Sequence, residues 1–236
     1  RPKFEVLKDE VIIPVIFAKV SGVSSNREEY WGNMHRLLAS PQAVFVQAFP
    51  YAKTSRANFH FHYQHCLVNG ELSTERIMQS DWWQYEDLTL ELQSAIAHTM
   101  KTSCEQPMLK LQPNESQYDL QLFIFKQMTM IPKDILRLLQ SFDYAQEVPK
   151  LVLYQAPQQP VLSREDIALL AFLNRFGVDI IFYNPTGKLD LEKHLLEDTF
   201  DGHRLEHIVF DLQFEEPKQQ KSKPDKMIKK LFNRFF

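Results

Sequence analysis

Two stretches in the second half of the chain share one pattern of apolar and polar positions. Lys150-Leu-Val-Leu-Tyr154 is a short apolar run that breaks into the polar, proline-bearing segment 155–160. Val178-Asp-Ile-Ile-Phe-Tyr183 breaks into Asn184-Pro-Thr-Gly-Lys188 in the same way. Both runs are β-branched or aromatic, and a helical periodicity follows each. Strand, loop and helix in repetition predict parallel strands joined by crossover helices. After the first run Ser163 caps a helix from Arg164 to Arg175, with Asp166 completing a capping box. That helix is apolar nearly all round from Ile167 to Phe176, which predicts burial against a sheet. Gly177 supplies its stop. After the second run Asp190 caps a short helix, Leu191 to Leu196, and Glu206 to Phe214 reads as a last strand, polar enough to be an edge.

The opening of the chain has the same grammar. Val11 to Val20 reads as a strand, with Pro14 at an edge, a bulge or the strand start. Asn26 caps a helix through Ala39, with Glu28 and Glu29 in its first turn and Tyr30, Trp31, Met34, Leu37 and Leu38 at helical spacing. Pro41 ends it, and Ala43 to Phe49 reads as a second strand. Between the two halves the period changes to helical: from Asp81 or Gln84 to Met100, from Glu115 to Met128, and from Lys133 to Phe142 with Pro132 at the first helical position. Asn58 to Tyr63 alternates weakly, and Asn69-Gly70 marks a turn. The predicted class is α/β, with Rossmann-like parallel-sheet portions and a helical insert. The portions are 1–56, 57–146, 147–216 and a tail, 217–236. This spacing suits two βαβ lobes joined by helices, or one sheet with a helical excursion.

Composition narrows the partners. At 44% hydrophobic and 24% charged, the 236 residues are ordinary for a globular protein. Six glycines argue against glycine-rich phosphate loops, and no G-x-G-x-x-G or G-K-[ST] is found. Two cysteines make no disulfide framework and predict reduced thiols in a cytoplasmic protein. No run approaches the roughly 20 apolar residues of a membrane span, and no secretory signal is visible. The start at Arg1 predicts a piece of a longer protein. Residues 217–236 carry seven basic side chains and one acid, a surplus of six; against a whole-chain charge of −3, residues 1–216 stand at about −9. An acidic body does not look like a nucleic-acid surface, and no nucleic-acid partner is expected; the basic tail is a separate question. Lys226–Phe236 is amphipathic, with Met227, Ile228, Leu231, Phe232 and Phe235 opposite its basic residues. It suits peripheral association with an anionic membrane or a groove on a protein partner.

Ile13-Pro-Val-Ile-Phe-Ala-Lys-Val-Ser-Gly-Val23, Glu29-Tyr-Trp31 and Asp179-Ile-Ile-Phe-Tyr-Asn-Pro-Thr-Gly187 resemble the YceG-like family of bacterial stress operons, which is distinct from the lytic transglycosylase of similar name. The family is encoded beside tellurite-resistance and general-stress genes and is assigned to a biosynthetic module. The resemblance implies a bacterial cytoplasmic stress-response protein and, because family members are longer, a C-terminal portion. It transfers no catalytic residues and names no cofactor.

Open parallel sheets bind ligands outside the carboxyl ends of their strands. The expected ligand-binding residues are Lys19 on the first strand, pointing into the cleft, Ser21, Gly22 and Asn26 in the loop after it, Gln155 after the third, and Asn184, Thr186 and Lys188 after the fourth. The expected ligand is a nucleotide or other small phosphorylated metabolite. A glycosyltransferase-like activity is the extension by fold analogy, and a non-catalytic adaptor docking through the tail is the alternative. His60, His62, His65 and Cys66 would offer metal ligands if the segment were extended; without a partnering motif the expectation is no metal. Trp82 and Trp83 are expected mainly to anchor the insert. No nucleophile–base arrangement can be argued from spacing.

Overall fold

A computed structural model of the chain describes residues 5–8, 11–53, 58–140 and 148–217. The elements are β1 (Glu5–Val6), β2 (Val11–Ile12), β3 (Phe17–Ser21), α1 (Arg27–Leu38) and β4 (Ala43–Val46). There follow α2 (His60–His65), β5 (Leu67–Val68), β6 (Glu71–Leu72), α3 (Thr74–Met78), α4 (Leu90–Glu105), α5 (Gln117–Met128) and α6 (Lys133–Gln140). The last are β7 (Lys150–Tyr154), α7 (Arg164–Phe176), β8 (Asp179–Asn184), α8 (Leu191–His194) and β9 (Asp201–Arg204).

Strands from both halves form one five-stranded sheet, ordered β4-β7-β8-β3-β9, with every pairing parallel. Of the two arrangements open to the sequence, this is the single sheet with a helical excursion. Alternation along the strands splits the core. Leu151, Leu153, Ile180 and Phe182 face a large cluster made with α4, α5 and α7. Val152, Tyr154, Ile181 and Tyr183 face a smaller one with Tyr30, Trp31 and Met34 of α1. β7 and β8 are apolar on both faces because both of their faces are covered.

Local signals in the second half hold closely. Ser163 and Asp166 make a reciprocal capping box, and Gly177 ends α7 at φ +114. Asp166 does more than cap: its Oδ1 accepts the backbone N–H groups of Tyr51 and Ala52, each at 2.7 Å, which ties the segment after β4 to the start of α7. Asn26 caps α1 by accepting from Glu29 N at 3.1 Å.

Four expectations need correction. Residues 11–20 are not one strand: Val11–Ile12 pairs with Glu5–Val6, and the sheet strand begins at Phe17, after Pro14. Asn58–Tyr63 is not extended, since His60–His65 is a helix; six residues with few apolar positions give either period too little signal. The helix expected from Asp81 or Gln84 starts at Leu90, where Thr89 accepts from Leu92 N. The last strand is Asp201–Arg204, whose four residues are all exposed, so no apolar run announces it. Glu206–Phe214 instead crosses the ends of the sheet strands. Its inward residues, Val209, Leu212 and Phe214 with Leu205 before them, join the α1-side core at a spacing that is not a strand's period of two.

Candidate functional site

The connection after β3 passes to α1 on one face, and the connection after its neighbour β8 passes to α8 on the other. Adjacent strands whose connections leave to opposite faces make a topological switch point, the place where open α/β sheets bind ligands. The Ser21–Asn26 and Asn184–Lys188 loops flank it, and β7 pairs with β8, so the Gln155 loop lies at the same carboxyl edge.

The expected residues divide among different tasks. Lys19 does not point into an open cleft. It is 1% exposed, and its Nζ donates to Asp190 Oδ1 at 2.7 Å, to Glu192 Oε2 at 2.8 Å and to the Lys188 carbonyl at 2.9 Å. Asn184, wholly buried, donates from Nδ2 to Asp190 Oδ2 at 2.6 Å and to the Lys188 carbonyl at 3.0 Å. Thr186 Oγ1 donates to Asn184 Oδ1 at 2.8 Å. These groups form a network that is buried except at Glu192, and in it Lys188 uses its backbone, its side chain being exposed. Burial raises the Asp190 carboxyl pKa against the pull of Lys19. For Glu192 burial also pushes upward, but hydrogen bonds from Lys19 and the backbone outweigh it and lower the pKa. The partners Asp190 and Glu192 were not foreseen: Asp190 was expected only as a cap, and nothing in local spacing marks a contact to Lys19.

Gln155 holds its own loop, donating from Nε2 to the Pro160 carbonyl at 2.7 Å. Gly22, at φ +85, carries a different load: a Cβ there would lie 2.7 Å from the His207 carbonyl. The reason is the strap formed by Leu205–Glu216. Leu205 N donates to Ser21 O, Val23 and His207 exchange backbone bonds at 2.7 and 3.1 Å, and Val209 N donates to Pro185 O. Farther on, Tyr154 donates its hydroxyl proton to Leu212 O at 3.0 Å, and Phe214 lies 4.7 Å from Phe45, centroid to centroid. The strap therefore runs past β3, β8, β7 and β4 in turn, on the α1 side.

Beside the strap, on the α8 side, a crevice of about 360 Å³ remains. Ser21, Thr186, Gly187, Glu192, Gly202 and Arg204 line it. Ser21 and Arg204 are register partners on adjacent parallel strands, so their side chains leave the same face. Gly202 contributes no side chain there. Arg204 is exposed, and among the described residues it has no ion-pair partner. Ser21 and Thr186 were expected at this site; Arg204 was missed because its strand has no apolar pattern.

The histidines lie on α2 and are dispersed: His62 approaches Asp81 at 3.5 Å, and His65 stacks on Phe61. Among the described residues no group of three or more His, Cys, Asp or Glu is placed to share a metal. Cys66 and Cys104 are free and buried, and burial raises both thiol pKa values. Trp83 is buried, and Trp82 packs edge-on to Phe125. No helix among the described residues is long and apolar enough to cross a membrane. The amphipathic segment Lys226–Phe236 lies outside the described residues.

The sheet, its crossovers and its switch point define a parallel α/β protein of Rossmann-like build. The YceG domain family matches residues 1–231, and the chain belongs to that family. It is 41% identical over 233 residues to the uncharacterized protein YceG of Bacillus subtilis (strain 168), an alignment covering 98% of this chain and 42% of that protein. The chain thus spans less than half the length of this relative. No solved structure matches it.

Proposed function

We propose that this chain binds a small phosphorylated metabolite or nucleotide in the crevice between the Asn184–Asp190 loop and β9, within the bacterial stress-response setting that the family resemblance implies. The observation that carries the reading is Arg204: a cation with no partner among the described residues, level with the Ser21 hydroxyl, facing a crevice at the switch point. A guanidinium offers a planar fork of donors suited to phosphate oxygens, and a neighbouring hydroxyl adds a further donor. Glu192, the one carboxylate lining the crevice, is engaged by Lys19, which tempers its repulsion of an anion. The same engagement bears on a glycosyltransferase-like reaction. Glu192 would be the base at hand for activating an acceptor, and its lowered pKa makes it a weak one.

The test is isothermal titration of the chain with ADP, UDP-glucose and glucose 6-phosphate. Saturable binding of at least one, with a binding site lost in Arg204→Glu and none lost in the surface variant Lys101→Glu, is the expected result. No binding by the parent chain, or equal binding by Arg204→Glu, overturns the reading.

A further inference from the structure

A second cavity, of about 340 Å³, lies at the opposite edge of the sheet, beyond the end of β4. Its floor is apolar, with Tyr85 and Ile131 buried and Leu136 half-buried. Three cations reach its rim: Lys53 from the segment after β4, and Lys133 and Arg137 from α6. Among the described residues none of the three has an ion-pair or hydrogen-bond partner for its side chain, and Asp87 is the one carboxylate lining the cavity. Three such cations gathered on a body of net negative charge call for a reason.

The frame that holds them is fixed. Gln127 Nε2 donates to the Lys53 carbonyl at 2.8 Å, which anchors the backbone there. Tyr85 donates to Met128 O at 3.0 Å and accepts from Ile131 N at 3.3 Å, which fixes the floor. Ile135, Leu138 and Leu139 bury the other side of α6. Lys133 and Arg137 are four residues apart and so share a face, where like charges repel and destabilise a helix. Asp134, the acid that could relieve Lys133, is turned away and accepts a hydrogen bond from the Tyr51 hydroxyl at 2.5 Å. The fold thus tolerates a repulsion that a bound anion would remove.

We infer that this cavity is a second anion site, taking a phosphoanhydride-bearing small molecule: a pyrophosphate or polyphosphate group held by Lys53, Lys133 and Arg137, with any attached apolar or planar group over the floor of Tyr85, Ile131 and Leu136. The volume is at the lower end of small-ligand pockets, which suits one such molecule. Charge-assisted bonds of this kind are strong, so reversing two of the three charges is expected to weaken binding about a hundredfold or more.

The experiment titrates inorganic pyrophosphate into the Arg204→Glu chain, which isolates this cavity from the crevice proposed above, and into the same chain carrying Lys133→Glu and Arg137→Glu. Both α6 positions are exposed, and circular dichroism with a thermal midpoint verifies folding. The expected result is salt-sensitive binding by the first and none by the second, with pyrophosphate protecting Lys53 and Lys133 from acetylation read by mass spectrometry. No binding by the Arg204→Glu chain, equal binding by the triple variant, or no protection at Lys53 and Lys133 overturns the inference. Failure of the Arg204 reading appears separately, as nucleotide binding by the parent chain that Arg204→Glu does not change.

Discussion

Replacing Lys19 by methionine tests whether the closed network beside the switch point is held by charge. Lys19 and Asp190 have side chains 1% and 0% exposed, and their charged atoms are 2.7 Å apart. Methionine fills nearly the same volume, so the change removes the ammonium and leaves little cavity. Asp190 then keeps bonds from Asn184 and the Leu191 N–H, while Glu192 loses its bonds from Lys19 and keeps the one from the Asp190 N–H. Removing one partner of a buried pair costs about 3–5 kcal/mol, a large share of the roughly 5–15 kcal/mol by which domains are stable. For a chain of this size that lowers the melting midpoint by about 6–20 °C. The deficit should depend on pH with a definite sign. The Asp190 pKa is already raised by burial and held back by Lys19; without Lys19 it rises further. A raised carboxyl pKa favours the folded state as pH falls through it, so the gap between variant and parent should narrow in mild acid. Thermal and urea unfolding followed by circular dichroism from pH 7.5 to 5 measures both. A loss below about 1 kcal/mol, within the range of an exposed pair, or a gap constant with pH, would refute the argument.

Gly22→Ala forces a side chain into a left-handed position facing the His207 carbonyl; a loss of about 2–3 kcal/mol is expected, with faster proteolysis within residues 205–216, and an unchanged midpoint and cleavage rate would count against the strap. Arg164 grips Glu115 with two bonds of 2.7 and 2.6 Å, and these lower the Glu115 pKa more than burial raises it. Glu115→Gln should cost about 1–3 kcal/mol at neutral pH. Because the folded pKa is lowered, the contribution is complete above the ordinary value near 4.3 and lost as pH falls through the folded value; urea midpoints that differ equally at pH 7 and pH 3 would contradict this.

The parts of the fold legible in sequence are those whose residues signal locally. Ser163, Asp166 and Gly177 bound α7 because a cap and a stop are chemical facts about a few neighbouring residues. The runs at 150–154 and 178–183 were legible because both sheet faces are buried there. The carboxyl-edge placement of Ser21, Asn184 and Thr186 followed from the crossover rule. What stayed hidden depends on distant partners. Lys19 gave no sign that Asp190 and Glu192 would claim it. Arg204 sits on a strand whose four residues are exposed, so its neighbours need no apolar pattern. The strap needs only Gly22, Gly187, where a Cβ would meet Ile208 of the strap at 2.6 Å, and a few widely spaced apolar residues, a signal that reads equally well as an edge strand.

β3 finds both of its neighbours late: Phe17 pairs with Ile180, and Ala18 with Asp201. A ribosome must therefore add more than 150 residues after β3 before either edge of that strand can be satisfied. At about 5–20 residues per second, that is a wait of roughly ten to thirty seconds. During it an apolar strand stands with both edges open, the condition under which nascent chains pair with one another. The helical insert emerges in that interval and can bury its own apolar surface first. For a cell making this protein, the exposed interval of β3 is the step at which chaperone supply would govern yield.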